Sequence, residues 1–88
     1  MAVTASDIEA ALRTALAPLA LDVVDDSHLH AGHAGAALGS HFTVRITSAH
    51  LSGLTRVGRH RLIYDALTEL MPRGIHALAI EARAPDDS

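Results

Sequence analysis

From His41 to Ser48 the chain alternates without a break, with Phe42, Val44 and Ile46 on one side and His41, Thr43, Arg45 and Thr47 on the other. Successive side chains of a strand point to opposite faces, so this stretch predicts a strand with one dry face and one wet face. Such a strand needs cover on a single side, which calls for one sheet backed on one face by helices.

The flanking segments supply the remaining elements. Ser6-Asp7-Ile8-Glu9 has the form of a capping box, and Ile8, Ala11, Leu12, Ala15 and Leu16 follow at helical spacing, predicting a helix from about Ser6 to Ala17 that Pro18 ends. Leu19, Leu21 and Val23 alternate with Ala20, Asp22 and Val24 in a first strand that runs into Asp25 and Asp26. It is the hairpin partner of the second strand, and Ser27 to Ser40 forms a long loop of glycine, alanine and histidine between them. Beyond Gly53 a helical region begins near Thr55, and Leu62, Ile63, Ala66, Leu67 and Leu70 make the stripe of a longer helix closed by Pro72 and Gly74. On that wheel Arg59 lines up with Ile63, Ala66 and Leu70, His60 lies at the edge, and Arg61 points away towards Asp65 as a surface pair. Ile75 to Arg83 is an apolar run of strand length, while residues 1–5 and 84–88 read as tails that fray. A strand that follows a helical crossover returns parallel to its neighbour. The expected fold is therefore α+β: a single domain over residues 1–88, order αββααβ with a helical turn before the longer second helix, and a three-stranded mixed sheet with its helices on one face.

At 88 residues the chain builds one core, and it buries only about 60 to 65 per cent of its unfolded surface. With one Phe, one Tyr and no Trp, that core is filled by Leu, Ile, Val and Ala, and aromatic platforms for stacking bases are nearly absent. The formal charge of −3 repels a polyanion overall, so any nucleic-acid contact is local. All seven basic residues are Arg. No long apolar run and no secretory signal is evident, and the chain is expected to be cytoplasmic. No nucleophile motif or phosphate loop is recognisable; His41 and His60 could pair with Asp25 or Asp26 as acid-base groups, but nothing selects a substrate, so no enzymatic activity is expected.

Seven histidines and no cysteine carry the chemical signal. Three of the seven, His28, His30 and His33, crowd one short stretch, which points to metal chemistry or pH sensing. They could bind Zn or Ni as a trio, although that set lacks a fourth ligand. His76 sits far downstream in Gly74-Ile75-His76-Ala77-Leu78, where strict alternation would place it beside Leu78 and Ile80 as an ordinary core histidine. With no thiolate in the chain, any iron-sulfur centre it helps to hold takes its sulfur ligands from elsewhere.

Four motifs in order resemble the BolA family: Val24-Asp25-Asp26-Ser27-His28-Leu29-His30, Ser40-His41-Phe42-Thr43-Val44, Gly53 followed by Arg59-His60-Arg61, and Gly74-Ile75-His76-Ala77-Leu78-Ala79-Ile80. The resemblance implies a class II KH-like fold and a partner of monothiol glutaredoxins that helps to bind or hand on a [2Fe-2S] cluster. It implies His76 and a loop histidine, His30 or His33, as ligands, with the glutaredoxin cysteine and glutathione supplying sulfur to the other iron. Two imidazoles on one iron of a two-iron cluster are a known alternative to thiolates. It also implies a competing role, DNA-binding transcriptional regulation. The only GXXG match, Gly32-His33-Ala34-Gly35, falls between strands and not between the helices where a KH clamp belongs, which leaves Arg56, Arg59, His60 and Arg61 as the basic patch for that role.

Overall fold

A computed structural model describes residues 3–26 and 40–87. Helix α1 spans Ala5–Leu16, strand β1 Ala20–Asp25, strand β2 Ser40–Thr47, helix α2 Arg56–Ala66 and strand β3 Ile75–Arg83. The sheet order is β1-β2-β3, with β2 antiparallel to β1 and parallel to β3. This is the expected α+β arrangement. The element ahead of α2 is only a 3-10 turn, Ala49–Leu51.

The helix α1 starts earlier than its most obvious signal. Thr4, not Ser6, is the N-cap: its hydroxyl accepts from the Asp7 backbone N–H at 3.2 Å, and the Asp7 carboxylate accepts from the Thr4 N–H at 2.9 Å. The Thr4 backbone N–H first, and then the Thr4 hydroxyl, hold the Asp7 carboxyl below its ordinary value. Apolar packing decides between the two boxes. With Thr4 as cap, Val3 and Ile8 bracket the first turn and both are buried, a hydrophobic staple that a Ser6 cap would replace with two alanines. Ile8, Leu12 and Leu16 then form the buried stripe, and the helix stops at Ala17, held in the left-handed region at φ 41° immediately before Pro18.

Phe42, Val44 and Ile46 of β2 are the floor of the core, facing Leu21 and Val23 of β1 and Leu78, Ile80 and Ala82 of β3. Ile8, Leu12, Leu16, Ile63 and Leu67 close it from above, so both helices lie on that one face. Leu19, expected in the first strand, precedes it and is 72 % exposed. Buried Ser48 ties the layers together: its hydroxyl donates to the Leu16 carbonyl at 2.6 Å and accepts from the His50 N–H at 3.2 Å.

The second helix is shorter than its apolar stripe. It begins at the Thr55 cap, whose hydroxyl accepts from the Gly58 N–H, and ends at Ala66. Thr68 donates its hydroxyl to the Asp65 carbonyl at 2.8 Å and the Leu67 N–H is shared between the Ile63 and Tyr64 carbonyls, so the last turn tightens. Leu67 and Leu70 still reach the core, through turns and a 3-10 segment at Met71–Arg73. Gly74, at φ 147° with the Val3 backbone beside it, makes the turn into β3.

The C-terminal segment is docked, contrary to the expectation of fraying. Ala84 is buried, and the Asp87 carboxylate accepts from the Ala84 N–H at 3.0 Å and from both terminal nitrogens of Arg59 at 2.6 and 3.0 Å. The Arg59 guanidinium, more than the Ala84 N–H, lowers the Asp87 carboxyl to about 2. Among the described residues no helix is long and apolar enough to cross a membrane.

Candidate functional site

The sheet's β2–β3 ladder contains one irregularity, and it lies at His76. Ser40 pairs with Ile75 while His41 pairs with Ala77, leaving His76 as the extra residue of a bulge. The cause is a conflict of phase. Ile75 is 7 % exposed and Leu78 packs against the core, yet they stand three positions apart, and an unbroken strand would put them on opposite faces. The inserted residue lets both face inward. Regular alternation would have buried His76 with Leu78 and Ile80; the bulge turns it out, and it is exposed. The reading of His76 as a core histidine is thereby overturned.

Turned outward, His76 meets His41. The two rings lie 5.1 Å apart, centroid to centroid, inclined at 42°. His41 starts the wet face of β2, and the neighbouring strand ends beside it: the Asp26 N–H donates to the His41 carbonyl at 2.8 Å, and the Asp26 carboxylate accepts the Thr43 hydroxyl. One end of the sheet thus gathers two imidazoles and the Asp25-Asp26 pair. Asp26 and Ser40, at that same end, are the attachment points of the segment that carries His28, His30 and His33. Those three histidines and Gly32-His33-Ala34-Gly35 fall outside the described residues. Among the described residues no three His, Cys, Asp or Glu side chains converge to hold a metal ion.

The basic patch is divided. Arg59 is committed to structure: besides Asp87, it donates through Nε to the Leu54 carbonyl and through Nη1 to the Ala82 carbonyl, both at 3.2 Å. Only 17 % of its side chain is exposed, and the bond to Asp87 raises its already high pKa. Arg56 and Arg61 are exposed, and Arg61 forms no ion pair with Asp65. Half-buried His60 lines, with Arg56 and Arg59, a cleft of about 200 Å³ against Ile80 to Arg83 of β3. Elsewhere on the open face of the sheet Arg45 is bracketed by Glu81 at 2.6 Å and Asp22 at 3.4 Å, one charge on each strand in register. All three are more than half exposed, so this row keeps the face soluble and contributes little stability.

Sequence reasoning located His76 but missed its outward turn, and it weighed His41 only as an acid-base group. The signal for both was the odd spacing of Ile75 and Leu78, which demands a change of phase between them.

A family model for BolA-like proteins matches residues 12–87. The chloroplastic protein BOLA1 of Arabidopsis thaliana is 40% identical over 88 residues, an alignment covering 96% of this chain and 55% of that protein. The DNA-binding transcriptional regulator BolA of Escherichia coli is 42% identical over 73 residues, covering 83% of this chain and 68% of that protein. The solved structure of BolA1 from Arabidopsis thaliana matches with a TM-score of 0.82 at 38% identity, over 100% of this chain and 98% of that one. The chain belongs to the BolA family.

Proposed function

We propose that this chain is an accessory protein that pairs with a monothiol glutaredoxin to bind or transfer a [2Fe-2S] cluster, with His76 and one of His30 or His33 ligating one iron. The observation that carries the reading is the bulge that presents His76 to solvent at the end of the sheet where the histidine-bearing segment is attached. A ligand buried in the core could not reach a partner's cluster. His30 is four residues from Asp26, a span of at most about 14 Å of extended chain, so it is tethered within reach of that sheet end. Because the chain has no cysteine, the thiolates come from the glutaredoxin and from glutathione, and the isolated chain holds no stable cluster. The role is one of ligation and hand-over, not of catalysis.

Anaerobic reconstitution with a monothiol glutaredoxin and glutathione tests this. The mixture should give a heterodimer whose visible absorption and circular dichroism differ from those of the glutaredoxin homodimer. His76→Ala should abolish that difference, and His30→Ala should weaken it more than His33→Ala. An unchanged spectrum with His76→Ala would remove the proposed ligand.

A second reading, DNA binding, is favoured by the name of the Escherichia coli relative. With Arg59 engaged by Asp87, two exposed arginines, Arg56 and Arg61, remain on α2, and the net charge is −3. Association should therefore be weak and strongly salt-dependent. Tight, sequence-selective retention on filters at physiological salt, lost on Arg56→Ala and Arg61→Ala, would reverse the ranking.

A further inference from the structure

We infer that His41 and His76 form a two-imidazole chelate for one late first-row divalent cation, a site that the chain possesses without any partner. A metal bound about 2.0 Å from an imidazole nitrogen lies about 3.2 Å from that ring's centroid, so two rings at a tetrahedral angle stand about 5.2 Å apart. The observed separation is 5.1 Å. The spacing follows from the backbone and not from a chance meeting of long side chains: His41 pairs with Ala77 of β3, its carbonyl accepts from the Asp26 N–H, and the bulge places His76 beside it. His76 is exposed and His41 half-buried, so a cation reaches the pair from solvent on the His76 side. The Asp25-Asp26 terminus of β1 lies one strand away and supplies a negative field that favours a cation.

Imidazole suits Zn²⁺, Ni²⁺ and Cu²⁺, whereas Mg²⁺ prefers oxygen donors and dehydrates reluctantly. With two protein ligands the site binds reversibly and does not act as a permanent structural centre. His76 is common to this chelate and to the cluster ligation proposed above, so cation and cluster exclude one another at that side chain. That corollary rests on the cluster reading; the chelate itself does not.

The test is a Zn²⁺ titration of the isolated chain in the background His28→Gln, His30→Gln, His33→Gln, which removes the three crowded imidazoles and leaves His50 and His60 as internal controls. Ring resonances of His41 and His76 should shift together and saturate with one equivalent of Zn²⁺, while Mg²⁺ shifts neither. His41→Gln and His76→Gln should each weaken Zn²⁺ binding about tenfold or more, measured by competition with a chromophoric chelator. If the resonances move independently, or if either substitution leaves the affinity unchanged, the chelate is refuted. The resonance criterion applies to unsubstituted His41 and His76, so it stands even where His41→Gln disturbs the fold. Loss of the glutaredoxin-dependent spectrum alone would bear on the cluster reading and not on this site.

Discussion

Two adjacent residues, Ile75 and His76, should respond to alanine in opposite ways. Ile75 is 7 % exposed and packs in the core, whereas His76 is the bulged, exposed residue. Ile75→Ala removes about three methylene equivalents, about 2.4 kcal/mol of transfer free energy, and the partly collapsed cavity brings the loss to about 3 kcal/mol. The unfolding entropy of 88 residues is about 0.18 kcal/mol/K, so the melting temperature should fall by about 15 °C. His76→Ala should change stability by less than about 0.5 kcal/mol, as substitutions at exposed positions do. Thermal and urea unfolding followed by far-ultraviolet circular dichroism would measure both. If the strand ran in unbroken alternation, His76 would be the costly position and Ile75 the tolerant one. A reversed order of effects would therefore refute the bulge, and with it the argument that presents His76 to a partner.

Three further outcomes are expected. Ser48→Ala strips the buried Leu16 carbonyl of its hydroxyl donor and should cost about 2 kcal/mol in urea unfolding, provided no water enters to replace it. Ala17→Gly relieves a left-handed alanine, and after the extra unfolded-state entropy of glycine it should raise stability by about 0.5 kcal/mol in the same assay. Asp87, held near 2 against an ordinary 3.8, contributes stability that is complete above about pH 4 and is lost as pH falls towards 2. Asp87→Asn should remove that part of the acid dependence when melting temperature is followed across this window, and an unchanged profile would show that the Arg59 clasp does not persist in solution.

Local rules were enough for much of this protein. The period of two in Phe42, Val44 and Ile46 determined which face of the sheet is dry, and the helical spacing of Ile8, Leu12 and Leu16 determined what covers it. With a hairpin and a helical crossover between apolar runs, those patterns leave little choice but a mixed sheet with helices on one side. The histidine excess and the absence of cysteine likewise limit the chemistry.

What the sequence left open was settled by which residues the assembled core takes in. Thr4 outranks Ser6 as cap because Val3 and Ile8 find the same core. Arg59 leaves the basic patch because Asp87, 28 residues away, returns to meet it once Ala84 is buried. His76 faces solvent because Ile75 and Leu78 both claim the interior, and their combined burial outweighs one irregular ladder position. His41 acquires its ring neighbour only through that bulge. Periodicity describes one element at a time, while each of these outcomes is a difference between two packings of several elements, and only the assembled core sets its sign.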